Sequence, residues 1–170
     1  MTWFLGIPVN IRAFDRFVTP PYILIPHEER HLTLVYLGER KPSQEVLSAL
    51  TQLKLRGFKV CFRGLTPFPS FRKPRYLVTL PEEIENILHL RKLLMRILPQ
   101  GLISDKYSSY RPHVSIARTR VKPNMELLKL VERIVRDSRN VKEKILVNEI
   151  CLYEAMGGRI SRVWSFSLRS

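Results

Sequence analysis

His31-Leu32-Thr33-Leu34 and His113-Val114-Ser115-Ile116 spell one pattern twice: histidine, apolar, hydroxyl, apolar. Each lies in a run rich in Val, Ile, Leu and Tyr, the composition of a half-buried strand. In a strand, side chains two positions apart point to the same face. His31 and Thr33 therefore share one face and Leu32 and Leu34 the other. His113 and Ser115 stand likewise against Val114 and Ile116. The apolar positions pack into a core and the polar ones face a cleft. The two copies sit about half a chain length apart, the spacing expected of two similar lobes that each give one strand to a shared cleft.

Working outward from these strands, the other strand-like segments are Trp3–Pro8, Phe58–Arg63, Arg75–Leu80, Lys144–Tyr153 and Arg162–Leu168. The two motif strands run over Arg30–Leu37 and His113–Arg118. Helical periodicity marks Gln44–Leu55, with Val46, Leu47, Leu50 and Leu53 at spacings of three and four. It also marks Glu82–Leu98, acidic in its first turn and basic later, and Met125–Asp137 after Pro123. The order of elements predicts an α+β protein with mainly antiparallel sheets. Short connections such as Gly64–Pro74 fit antiparallel pairing.

Composition narrows the function classes. The 170 residues suffice for one domain, and no apolar run approaches the roughly 18 residues of a membrane span. The stretch Met1–Pro8 reads as a first strand and not a signal peptide. Cys61 and Cys151 lie far apart in apolar runs, outside any CxxC or Cys/His ligand pattern, and read as free thiols of a reducing cytoplasm. No metal or other cofactor is expected. Lys and Arg total 29 against 15 Asp and Glu, a net charge of +14 and a pI near 10.3. Such an excess favours a polyanionic partner, nucleic acid first.

Two imidazoles and two hydroxyls across one cleft suit the opening of a cyclic phosphodiester. One imidazole takes a proton from water and the other gives one to the departing ribose oxygen. Histidine, with a free pKa near 6.5, serves either role near neutral pH. The hydroxyls of Thr33 and Ser115 can donate to the non-bridging phosphate oxygens. His27, in the polar turn before the first motif, lacks a hydroxyl two positions on and is a candidate for the cleft rim. His89 sits among apolar residues of a helix and reads as structural.

At these residues the chain resembles the 2H phosphoesterase superfamily, in particular the LigT-like RNA 2′,3′-cyclic phosphodiesterases, also called 2′-5′ RNA ligases. Ile25-Pro26-His27-Glu28-Glu29-Arg30-His31-Leu32-Thr33-Leu34-Val35-Tyr36-Leu37-Gly38 resembles that family's first motif. Arg111-Pro112-His113-Val114-Ser115-Ile116-Ala117-Arg118 resembles its second. Pro67-Phe68-Pro69, Pro74-Arg75-Tyr76-Leu77-Val78 and Ile150-Cys151-Leu152-Tyr153 are similar to its secondary landmarks, in the family order. The resemblance implies a bilobal fold over residues 1–170, two sheets with pseudo-twofold symmetry around a central cleft, and helices on the outer faces. It implies hydrolysis of a terminal 2′,3′-cyclic phosphate to a 2′-phosphate, with 2′-5′ ligation as the reverse. His31 would be the general acid and His113 the general base, with Thr33, Ser115 and Arg118 on the phosphate.

Three departures from the family pattern carry consequences. The region between Pro8 and His31 is short, with room for a helix only over Ile11–Phe17. Ser115 replaces the commoner Thr and has a freer rotamer. Strict alternation from His113 sends Arg118 to the opposite face, so it meets the phosphate only where the strand ends, twists or bulges near Ala117. Arg30, Arg72, Lys73, Arg75, Arg120 and Lys122 are candidates to follow an RNA backbone. Phe4, Tyr36, Tyr107 and Tyr110 are candidates for base stacking or the cleft rim. The expected partner is RNA with cyclic-phosphate or 2′-5′-linked ends, met by a cytoplasmic monomer with no membrane contact. The same residues also suit a non-catalytic module that binds RNA ends, or an enzyme acting on a small cyclic nucleotide.

Overall fold

Burial alternates along β3 (His31–Gly38): Leu32 and Leu34 are buried while His31 and Thr33 are half-exposed. The second copy behaves alike in β6 (Val114–Arg118), with Val114 and Ile116 buried and Ser115 half-exposed. The computed structural model describes residues 1–104 and 109–169. Before β3 come β1 (Thr2–Pro8) and a short β2 (Ile23–Leu24). Between the motif strands lie α1 (Gln44–Thr51), β4 (Phe58–Phe68), β5 (Tyr76–Pro81) and α2 (Glu85–Ile97). After β6 follow α3 (Met125–Ser138), β7 (Lys142–Val147), β8 (Glu149–Met156) and β9 (Arg159–Ser167). Where a short helix over Ile11–Phe17 was expected there is only the 3-10 turn Asp15–Phe17, and a second such turn, His27–Glu29, leads into β3.

The nine strands form one antiparallel sheet in the order β7-β4-β5-β6-β3-β1-β8-β9, with β2 beside β6. The two sheets expected are thus joined into one, its halves meeting in mid-sheet at one residue pair, Leu32 opposite Val114. The sheet must curl. β7 and β8 are separated only by Asn148, yet β7 lies at one edge and β8 next to the other. This break replaces the single strand expected over Lys144–Tyr153. Asn148 has left both ladders, and its carbonyl accepts from the Leu168 amide at 2.7 Å.

The helices pack outside the sheet: α2 against β3, α3 against β4, and α1 against α2. Ser43 caps α1 by accepting from the Val46 amide, and Asn124 caps α3 by accepting from Leu127 at 2.8 Å. Helix α2 begins at Glu85, three residues later than its periodicity suggests. The Glu82 amide is bonded to the Cys61 carbonyl at 2.8 Å and its carboxylate to Lys142 at 3.2 Å, so this residue stays with the sheet. The core gathers Leu5, Ile7, Leu32, Leu34, Ile87, Val114, Ile116 and Val131, all at most 2% exposed. Gly6 lets β1 lie close to β3, since a Cβ there would stand 2.9 Å from the Leu32 carbonyl oxygen.

Candidate active site

The pairing of Leu32 with Val114 fixes the site. In an antiparallel register this sets Thr33 across from His113 and His31 across from Ser115. The four polar side chains therefore form a two-by-two array on one face, with the imidazoles on a diagonal and the hydroxyls on the other. The arrangement is the pseudo-twofold axis at side-chain scale.

Each imidazole is held the same way. Nδ1 of His31 bonds the Glu29 carbonyl at 2.7 Å, and Nδ1 of His113 bonds the Arg111 carbonyl at 2.7 Å. A carbonyl only accepts, so each Nδ1 carries the proton and each neutral ring leaves Nε2 as its basic atom. Aromatic rings back both. Phe4 and Tyr153 stand 4.7 and 5.1 Å from the His31 ring. Phe68 stacks on His113 at 4.1 Å. Burial pushes the His31 pKa below its ordinary value; the Glu29 carbonyl opposes this, and the charge of His113 adds to it. Burial likewise lowers the pKa of His113, against the Arg111 carbonyl and with the Arg111 charge. Neither the Thr33 nor the Ser115 hydroxyl has a hydrogen-bond partner among the described residues.

Both motif strands bulge at the same place. Along β3 the register against β1 skips Leu34, and along β6 the register against β5 skips Ile116. Leu34 and Val35 are consequently both buried, as are Ile116 and Ala117. The extra residue inverts the alternation, so the sixth residue of each repeat returns to the polar face. These residues are Tyr36 and Arg118. The bulge near Ala117 thus supplies the condition under which Arg118 faces the same way as His113 and Ser115.

A cavity of about 370 Å³ opens beside the array, lined by Thr33, Tyr36, Phe68, Arg91, Tyr110 and His113, among others. Tyr36 and Tyr110 are thus in its wall. Tyr110 donates to the Thr33 carbonyl at 2.6 Å, and the Arg91 guanidinium lies 4.3 Å over its ring. His31 is outside this lining, at the other end of the array. Arg118 borders a separate hollow with Pro21, Ile23 and Arg120.

Several expectations need correction. Phe4 is buried with its ring against His31 and Tyr153, so it supports the imidazole from behind and offers no face for a base. His27 is not at the rim as a free imidazole: its Nε2 bonds Asp15 at 2.7 Å. Arg30 is 1% exposed and cannot follow an RNA backbone; it bonds Asp15 at 2.7 Å and the carbonyls of Ile11 and Ile25 at 2.6 and 3.0 Å. Tyr107 lies outside the described residues. His89 is exposed on α2. Arg72, Lys73, Arg75, Arg120 and Lys122 are exposed, as a backbone contact requires. Sequence reasoning missed Phe68 as the ring beneath His113, and Arg91 and Arg111 in the cavity wall. Phe68 carried a signal, since it falls in one of the family-like landmarks. Arg91 carried none beyond its helical position. Among the described residues, no three His, Cys, Asp or Glu side chains group as a metal site. No helix among them is long and apolar enough to cross a membrane.

A curled antiparallel sheet with two His-x-hydroxyl strands joined at its seam defines the two-histidine phosphoesterase class. A sequence profile of the 2′-5′ RNA ligase superfamily matches residues 10–159, and the chain belongs to that family. An RNA 2′,3′-cyclic phosphodiesterase of Aquifex aeolicus is 27% identical over 116 residues, 65% of this chain and 58% of that protein's length. One of Aeropyrum pernix is 25% identical over 148 residues, 80% of this chain and 84% of that protein. Among solved structures, TT0787 of Thermus thermophilus superposes with a TM-score of 0.71 at 21% identity, covering 99% of this chain and 98% of that one. E. coli LigT complexed with 3′-AMP superposes with a TM-score of 0.70 at 15% identity, again over 99% and 98% of the two chains. At these identities the structures speak for the fold.

Proposed function

We propose that this protein is a metal-independent phosphodiesterase that opens 2′,3′-cyclic phosphate ends of RNA to 2′-phosphates. The observation that carries the reading is the pairing of Leu32 with Val114, which sets two imidazoles and two hydroxyls on one face. The phosphate lies between the imidazoles, its non-bridging oxygens accepting from Thr33 and Ser115, with Arg118 countering its charge. Nε2 of neutral His113 takes a proton from a water that attacks phosphorus opposite the 3′ oxygen. The P–O3′ bond breaks, and His31, protonated on Nε2, gives that proton to the departing oxygen. The phosphate stays on the 2′ oxygen. In the reverse, ligation direction the two imidazoles exchange roles. The names of the Aquifex and Aeropyrum relatives agree with this chemistry. LigT in complex with 3′-AMP agrees with a nucleotide-sized ligand, and the cavity of about 370 Å³ has room for one.

The whole of residues 1–170 acts as one catalytic domain of two lobes, since each lobe supplies one imidazole. The test is turnover of an oligoribonucleotide ending in a 2′,3′-cyclic phosphate, followed by phosphorus NMR in the presence of EDTA. The wild type yields the 2′-phosphate. His31→Ala and His113→Ala each lower kcat by about a thousandfold, within the usual range for lost proton transfer, while circular dichroism stays unchanged. Undiminished turnover by either folded variant would remove the mechanism. Binding of the RNA without any turnover by the wild type would leave an end-binding module instead.

A further inference from the structure

Beyond the Leu32–Val114 pair, β3 diverges from β6 and the segment around β2 takes over its edge. Ile23 pairs with Arg118 and Leu24 with Ala117, and the Ile25 amide donates to Ile116 at 2.9 Å. This creates a second concavity outside the array of imidazoles and hydroxyls. Two hollows of about 570 and 630 Å³ share Pro21 and Val121 and so form one groove. The first part is bordered by Arg118 and Arg120, the second by Lys129 and Arg133 on α3. Lys129 and Arg133 are one turn apart on the exposed side of α3, whose Leu127, Val131 and Ile134 are buried. Glu126 is the acid among the lining residues. Ile23, 69% exposed, and Val121, 44% exposed, give the groove apolar surface between its cations.

We propose that this groove holds the sugar–phosphate backbone of single-stranded RNA upstream of the reacting end. The inference rests on the phosphodiesterase reading, since the RNA end must lie between His31 and His113. Three observations favour this occupant. Four cations face one carboxylate in a chain of net charge +14, which is complementary to a polyanion. The groove touches the second motif strand at Arg118, which the bulge at Ile116 turns to the side of Ser115. Arg118 follows Ser115 by three residues, roughly 10 Å of strand, within reach of the same RNA chain. The two ends of the array thereby acquire different tasks. The cavity beside His113 is left to the attacking water and its approach, and the RNA chain that carries the 3′ oxygen departs past His31 along Arg118, Arg120, Lys129 and Arg133. Proline and aliphatic surfaces on the way can pack against ribose and base faces without reading sequence.

The test compares the wild type with two triple variants, Arg120→Gln/Lys129→Gln/Arg133→Gln and Arg120→Glu/Lys129→Glu/Arg133→Glu. All three positions are exposed, so the fold should persist, and the neutral set guards against misfolding of the reversed one. Binding of a labelled single-stranded oligoribonucleotide is titrated over a range of salt. Turnover of 2′,3′-cyclic AMP, too short to reach the groove, is measured in parallel. Loss of three phosphate contacts flattens the slope of log Kd against log salt by about 2, at about 0.7 per contact on single strands. The kcat/KM for 2′,3′-cyclic AMP stays at its wild-type value. Unchanged RNA affinity and salt slope in both variants would overturn the groove assignment. So would variants that lose an acidic polypeptide while keeping RNA, which would make the groove a protein-docking site. Failure of the wild type to open 2′,3′-cyclic AMP would count against the phosphodiesterase reading, whereas the RNA isotherms judge the groove by themselves.

Discussion

Both imidazoles have their Nδ1 fixed on the carbonyl two residues earlier, so that Nε2 is the atom left for chemistry. Both also titrate below the ordinary histidine range, because burial disfavours the charged ring. At pH 7 both are then mostly neutral, which suits the proposed base and depletes the proposed acid. The free enzyme should therefore give a bell-shaped kcat/KM profile for a cyclic phosphate with its maximum on the acid side of 6.5, falling as pH rises towards 7. A bound phosphodiester anion favours protonated imidazole, so the kcat profile should lie at higher pH than that of kcat/KM. Steady-state rates across pH at constant ionic strength test this. A kcat/KM maximum above 7 would contradict the burial-lowered pKa values.

At the scale of elements, the segment before β3 acts as a brace for His31. Arg30 lies beneath the strand start and ties the Ile11 and Ile25 carbonyls to Asp15, which also binds His27. Burial opposes ionisation of Asp15, but hydrogen bonds from Arg30 and His27, with their charges, hold its carboxyl below the usual range. The Glu29 carboxylate accepts from the Ile160 amide at 3.0 Å, and its carbonyl accepts from His31. Asp15→Ala should therefore leave a buried guanidinium short of its counter-charge, costing about 3 kcal/mol. It should also lower kcat by about tenfold through a displaced imidazole. Urea unfolding and turnover of the same preparation measure both. An unchanged kcat beside a lowered urea midpoint would confine the brace to stability. This brace shows where sequence reading stops. The strands around His31 and His113 were legible because alternation is local, and α1 and α3 because their apolar spacing is local. Arg30 looked like another surface cation because its partners, Ile11, Asp15 and Ile25, meet it only in the fold. The bulges at Leu34 and Ile116 were half legible: an end, a twist or a bulge near Ala117 was the condition for Arg118 to share the face of His113, but nothing pointed to the twin before Tyr36.

In the whole molecule, the repeated motif implied two lobes, and the structure joins them at a single residue pair in one curled sheet. The curl was not legible, since it depends on Asn148 alone turning the chain from one side of the sheet to the other. The same closure brings Phe68 of β4 beneath His113 and Tyr153 of β8 beside His31. The site thus sits over rings from strands distant in sequence, and the whole fold carries the cost of keeping two imidazoles poorly hydrated. That cost should be visible in acid. A histidine with a lowered native pKa binds fewer protons folded than unfolded, so stability falls as pH drops from 6.5 through the native values. The limiting slope is about 1.4 kcal/mol per pH unit for each histidine. Asp15, also lowered in the native state, loses its contribution only as pH falls below 3.8 through its own native value, a separate window. Urea midpoints at about pH 7.5 and 5.5 should therefore differ in the wild type and converge in His31→Gln/His113→Gln, which has nothing to titrate at these two positions. A double variant with the full wild-type acid sensitivity would mean that the two imidazoles are not the groups whose burial the fold maintains.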